Sequence, residues 1–174
     1  MRMPILVVLF SLLLCSCGAR NIRPGETPNP NEGIAFVRVI LSGASTSMIH
    51  LFTKGDRMGP HKARVDATEG DHVYAVIMSP GEYDIGQTTS DGRTSIWPVP
   101  SLCPPFTVVQ GKPNYIGTLV LNYEPSKWYR LSQKYEVKCS NSPGDAADAS
   151  TMYERTYGLL TKDAPNKAAA DGLR

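Results

Sequence analysis

The side chains of this chain best able to do chemistry are its four cysteines and three histidines, and their spacing limits what that chemistry is. Cys15 and Cys17 close an apolar N-terminal run, while Cys103 and Cys139 stand far downstream with no neighbouring histidine to activate a thiolate. His50, His61 and His72 contain no i, i+4 pair of the kind a helix uses to hold zinc, and no Cys-x-x-Cys accompanies them. His50 and His72 fall in expected strands, where a sheet-edge histidine is the plain reading. Asp56, His61, Asp66, Glu69 and Asp71 share one polar stretch and offer the oxygens a hard cation wants. Their spacing does not match a calcium loop, and a solvated loop accounts for them. Neither a Gly-x-Ser-x-Gly elbow nor a phosphate-cradling glycine loop occurs. The expectation is no metal, no cofactor and no enzyme; a hydrolase would need His61 beside aspartate and glutamate in a concave site. Trp97 and Trp128 are the remaining candidates, as loop aromatics that could stack a sugar ring, with Arg130 as a polar clamp beside Trp128. Covering the ends of a small core is their simpler use.

The leader comes next, because it sets the compartment. Met1-Arg2 gives a short positive start, and Ile5 to Leu14 is an almost unbroken apolar run of about ten residues, inside the 7–15 of a secretory signal and short of the roughly 20 of a membrane span. The run ends in Leu14-Cys15-Ser16-Cys17, which resembles the lipobox of bacterial lipoproteins. That resemblance implies cleavage before Cys17, a diacylglycerol on its thiol and an acyl group on its amine. Gly18 follows where an aspartate would favour the inner membrane, so the outer membrane is implied, facing the periplasm or the exterior. The alternative is cleavage after Ala19 by the ordinary signal peptidase.

Composition agrees with an exported single domain. Losing Arg2 with the leader takes the formal charge from +2 to about +1, which offers no basic field for nucleic acid. The expected partners are the membrane, through the anchor, and an envelope protein or glycan. With Cys15 cleaved away and Cys17 lipidated, Cys103 and Cys139 remain, and an even pair in an oxidising compartment reads as one disulfide. Such a loop is worth roughly 3–4 kcal/mol. Two free buried thiols are the alternative.

These observations divide the chain into a signal peptide (1–16), a lipid-anchored flexible tether (17–33), a β-sandwich domain (34–142) and a C-terminal helix with a disordered tail (143–174). The tether is expected because Pro24, Pro28 and Pro30 interrupt a stretch without periodicity. Ile34 to Leu41 alternates Ala35, Val37, Val39 and Leu41 with Ile34, Phe36, Arg38 and Ile40, an inner strand apolar on both faces. Gly43 to Ser47 is expected to turn it into a hairpin with Met48 to Thr53. Lys54 to Asp71 reads as a long loop holding a short strand at Ala63 to Val65, and His72 to Met78 as the next strand. Ser79-Pro80-Gly81 is a turn signal that lets Tyr83 and Ile85 point inward together. Strands follow at Phe106 to Val109, Tyr115 to Tyr123 and Lys134 to Cys139, the last with Tyr135, Val137 and Cys139 facing in. Thr151 and Glu154 have capping-box spacing for a helix from Thr151 to Lys162, with Tyr153, Tyr157 and Leu160 as its stripe.

The expected class is therefore mainly β: an immunoglobulin-like or transthyretin-like antiparallel β-sandwich with one short C-terminal helix. Pro80-Gly81-Glu82-Tyr83-Asp84-Ile85 together with the stretch from Phe106 to Gly117 resembles a loose group of uncharacterised bacterial lipoproteins with a small β-sandwich. The shared motifs are folding devices and imply no catalytic residue.

Overall fold

The computed structural model describes residues 19–56, 60–90, 103–124 and 135–158, and the backbone of 94–96. The strands are β1 (Arg20–Asn21), β2 (Gly33–Thr53), β3 (Ala63–Met78), β4 (Gly81–Ser90), β5 (Thr94–Ile96), β6 (Phe106–Val108), β7 (Pro113–Tyr123) and β8 (Tyr135–Ser140). One helix, α1 (Pro143–Tyr157), follows. The chain is mainly β, with a largely antiparallel sheet and a short C-terminal helix.

Two long strands carry the architecture. β2 and β3 pair antiparallel from Gly33↔Met78 to Leu51↔Ala63, with a shift between Leu41 and Thr46. The first part of β2 also pairs in parallel with β7, and the second part antiparallel with β4. β8 extends the sheet from β7, β1 lies on the outer edge of β3, and β5 and β6 both pair with β4. Met78 faces Gly33 at one end of β2 and Tyr83 faces Thr53 at the other. Five residues reach at most about 17 Å, whereas a straight β2 would run about 65 Å. β2 must therefore fold back on itself, and the irregular stretch from Leu41 to Thr46 is where it does. Gly43 sits there at φ 75°, and a β-carbon added to it would strike the Tyr123 carbonyl oxygen, so the fold needs glycine at this position.

The folded-over sheet encloses one apolar cluster. Ala35, Val37, Val39 and Leu41 from the first part of β2 meet Ile49 and Leu51 from the second, with Leu119, Leu121 and Tyr123 of β7 and Tyr83 and Ile85 of β4. Ile34 and Phe36, on the opposite face, join Val73, Ala75 and Ile77 of β3 in a second cluster. α1 covers that cluster with Ala149, Tyr153 and Tyr157, four residues apart along one face. The Tyr153 ring stacks on Phe36 at 4.6 Å. Burying such a side chain is worth about 1.5–3 kcal/mol, which holds a helix too short to persist alone.

Several expectations are corrected. Gly43 to Ser47 makes no hairpin; the predicted pair of strands is the single strand β2, because its backbone groups find β3 as a partner on both sides of the bend. The loop from Lys54 to Asp71 is strand from Ala63 onward. Within the stretch placed in the tether, Arg20 and Asn21 pair with β3, Ile22 is buried and Gly33 begins β2. The helix starts at Pro143 rather than Thr151: Ser142 is the cap, its hydroxyl accepting from the Asp145 amide at 3.1 Å. It ends at Gly158, φ 66°, whose amide donates to the Glu154 carbonyl at 2.9 Å. Leu160 and Lys162 lie outside the described residues. β7 changes phase at Gly117, since two steps on β2 (Phe36 to Arg38) match three on β7 (Tyr115 to Thr118). Ile116 and Leu119 therefore enter the same cluster, while Tyr115 faces Phe36 and the helix. Tyr135, expected inside, is 47% exposed. The pairing of β2 with β7 departs from an all-antiparallel sheet.

Candidate functional site

The end of the molecule where the described chain enters the sheet is built from β1, the bends around Glu26 and Glu32, and the turn at Val109–Lys112. Arg20 and Asn21 pair with Ile77 and Val76, and the Ile22 amide donates to the Ala75 carbonyl at 3.1 Å. Ile22 is buried in the cluster beneath α1. A lone isoleucine two positions before the proline-punctuated stretch that starts at Pro24 carries no periodic signal, which is why this strand is not visible in the sequence.

Arg20 organises the charges here. Its guanidinium donates to both Glu32 carboxylate oxygens, at 2.8 and 3.4 Å, and to Glu26 at 3.0 Å. The Glu32 side chain is only 3% exposed, so its charge must be matched by donors; the Asn29 amide supplies another at 2.8 Å. The bonds to Glu32, then to Glu26, raise the Arg20 pKa. Glu26 is held below the usual carboxylate range, first by the Arg23 amide and then by Arg20. The Glu32 carbonyl accepts from the Gly111 amide at 2.9 Å, and Asn114 Nδ2 donates to the carbonyls of Lys112 and Ile34 at 2.8 and 3.0 Å. One hydrogen-bonded knot thus ties β1, the start of β2 and the Val109–Lys112 turn together.

The residues expected to do chemistry are dispersed by the same fold. Cys103 and Cys139 are joined as a disulfide, their Cα atoms 5.3 Å apart across a separation of 36 residues. His50 and His61 come together, ring centroids 5.0 Å apart, because the Lys62 amide bonds the Leu51 carbonyl at 2.7 Å and seats His61 beside β2. Burial, then the neighbouring charges of His61 and Arg64, lower the His50 pKa, opposed by Asp66. No fixed spacing rule could have found this pair. Asp66 pairs with Arg64 at 3.0 Å, and Asp71 receives both arms of Arg38 at 2.9 and 2.7 Å. His72 Nε2 lies 3.0 Å from the Glu69 carbonyl oxygen. Among the described residues no three His, Cys, Asp or Glu side chains converge. Cys17, Trp97, Trp128 and Arg130 lie outside the described residues.

Arg38 is a residue that sequence reasoning treats only as the odd charge on a strand face. It reaches Asp148 of α1 at 3.4 Å as well as Asp71, so it fastens the helix to β3. Its hydrogen bonds to Asp71 raise its pKa and lower that of Asp71. Compared with protein-family models, with curated proteins and with solved structures, the chain finds no match.

Proposed function

We propose that the protein is a lipid-anchored envelope protein, acylated at Cys17, whose domain serves as a non-catalytic interaction or structural module at the outer membrane. The observation that carries this reading is the leader ending in Leu14-Cys15-Ser16-Cys17, followed within three residues by a folded domain. The Cys103–Cys139 disulfide supports an oxidising compartment. Ionisable side chains of the polar stretch serve the fold: Asp66 and Asp71 stand in ion pairs and His61 packs against His50.

The domain itself is best described as a small β-sandwich. In this reading the halves of β2 and β3, with their separate neighbours, form its two layers; the apolar cluster that both halves of β2 share supports it. Metabolic labelling with radioactive palmitate, followed by membrane fractionation, tests the address. Wild type should carry label and sediment with outer membrane, and Cys17→Ser should lose both; a labelled or membrane-bound Cys17→Ser protein would defeat the proposal.

A further inference from the structure

We infer that the domain does not hang free on its anchor but lies against phospholipid headgroups with one fixed end, the end formed by the Val109–Lys112 turn and the Ser79–Gly81 turn. This deepens the anchoring proposal and rests on it. Arg20 is three chain steps from Cys17, a reach of about 10 Å, and it is already paired to Ile77. β1 runs antiparallel to β3, so its N-terminal side leaves the sheet beside Met78, at the last residue of β3. Met78 faces Gly33, and the next residues make the turn into β4, where Gly81 pairs with Val108. The Glu32 carbonyl, whose side chain is clamped by Arg20, accepts from the Gly111 amide. The leader junction and both turns therefore belong to one end of the molecule, tied by direct hydrogen bonds.

The chemistry of that end fits an interface. Val109 is 44% exposed, one of two large apolar side chains so exposed among the described residues. Lys112 of the same turn and Arg23, two residues past β1, are exposed, cations able to keep their charge at phosphate level while their stems lie on apolar surface. A solitary valine binds no membrane by itself. Because the acyl anchor is only three chain steps from Arg20, this end of the domain meets the surface at an effective concentration in the millimolar range or above, and weak contacts suffice to set orientation. The bend of β2 and β3 points the other way: Glu69 is nine residues back along β3 from Met78, about 30 Å along the strand.

Two single-thiol variants of the full acylated protein test this, Val109→Cys and Glu69→Cys, since Cys103 and Cys139 are bonded to each other and Cys17 carries lipid. Each is labelled with an environment-sensitive fluorophore and placed in phosphatidylethanolamine–phosphatidylglycerol vesicles with or without brominated acyl chains. Position 109 should be quenched severalfold more than position 69. Twenty glycine and serine residues inserted between Gly18 and Ala19 should reduce that difference. Intact mass measured beforehand separates the two ideas. Acylated protein with equal quenching at both positions overturns the fixed orientation alone; protein without acylation overturns it together with the anchoring proposal.

Discussion

Arg20 and Glu32 show how much one residue can decide near a chain end. Removing Arg20 takes the charged hydrogen bonds away from a carboxylate that is almost wholly buried. Arg20→Ala should therefore destabilise the domain by about 1–3 kcal/mol, read from urea unfolding, and Glu32→Gln introduced on top should restore part of the loss. An unchanged midpoint for Arg20→Ala would show that the knot contributes nothing. His50 allows a pH prediction with a definite sign. Its folded pKa lies below the ordinary 6.5, so the unfolded chain takes up the proton first as pH falls. Stability from this group is complete above pH 6.5 and declines between there and the lower folded value. His50→Gln should flatten that part of a stability-against-pH curve.

At the scale of elements, the attachment of α1 combines a cap, an ion-pair network and an aromatic stack. Ser142→Ala should cost about 1 kcal/mol by removing the hydroxyl that caps the helix. Tyr153 has its ring stacked on Phe36 and its hydroxyl buried without a hydrogen-bond partner among the described residues. Tyr153→Phe should thus be neutral or stabilising, whereas Tyr153→Ala should cost about 3–5 kcal/mol. Asp71, first through its bonds from Arg38, and Asp145, first through Ser140 and Ser142, have lowered pKa values. Both favour the folded state above the ordinary carboxylate pKa and lose that effect as pH falls through their lowered values. Below about pH 4, tyrosine near-ultraviolet dichroism should report helix release before the sheet unfolds.

Local periodicity made the faces of β2, β3 and the helix legible: Ala35, Val37, Val39 and Leu41 fall on one side and Ile34 and Phe36 on the other, as their alternation suggests. Tyr83 and Ile85 are buried together, and the Tyr83 hydroxyl bonds the Ser79 carbonyl at 2.8 Å across the Pro80-Gly81 turn. What stayed hidden depends on contacts far apart in sequence. Gly43 looks like a hairpin turn because glycine marks a bend without saying which strands follow it. Thr151 and Glu154 have capping-box spacing, but Ser142 with Pro143 is the better start, and it escaped notice because Ala146 to Ser150 is only weakly amphipathic. The Arg20–Glu32 pair and the His50–His61 contact join segments that no spacing rule connects.

For the whole molecule, the disulfide closes a loop that holds β6 and β7 and joins Cys139 of edge strand β8 to buried Cys103. Cys103→Ser with Cys139→Ser should lower stability by about 3–4 kcal/mol, and the same loss should appear on reduction of the wild type. A domain stable without that bond would weaken the case for an oxidising compartment. The central claim rests on the thiol at the leader's end. Intact mass and peptide mass spectrometry of the mature N-terminus test it most directly. The account predicts that the chain begins at Cys17 and carries a diacylglycerol and an amide-linked acyl group; a mature chain beginning after Ala19, or with Cys17 unmodified, would contradict it.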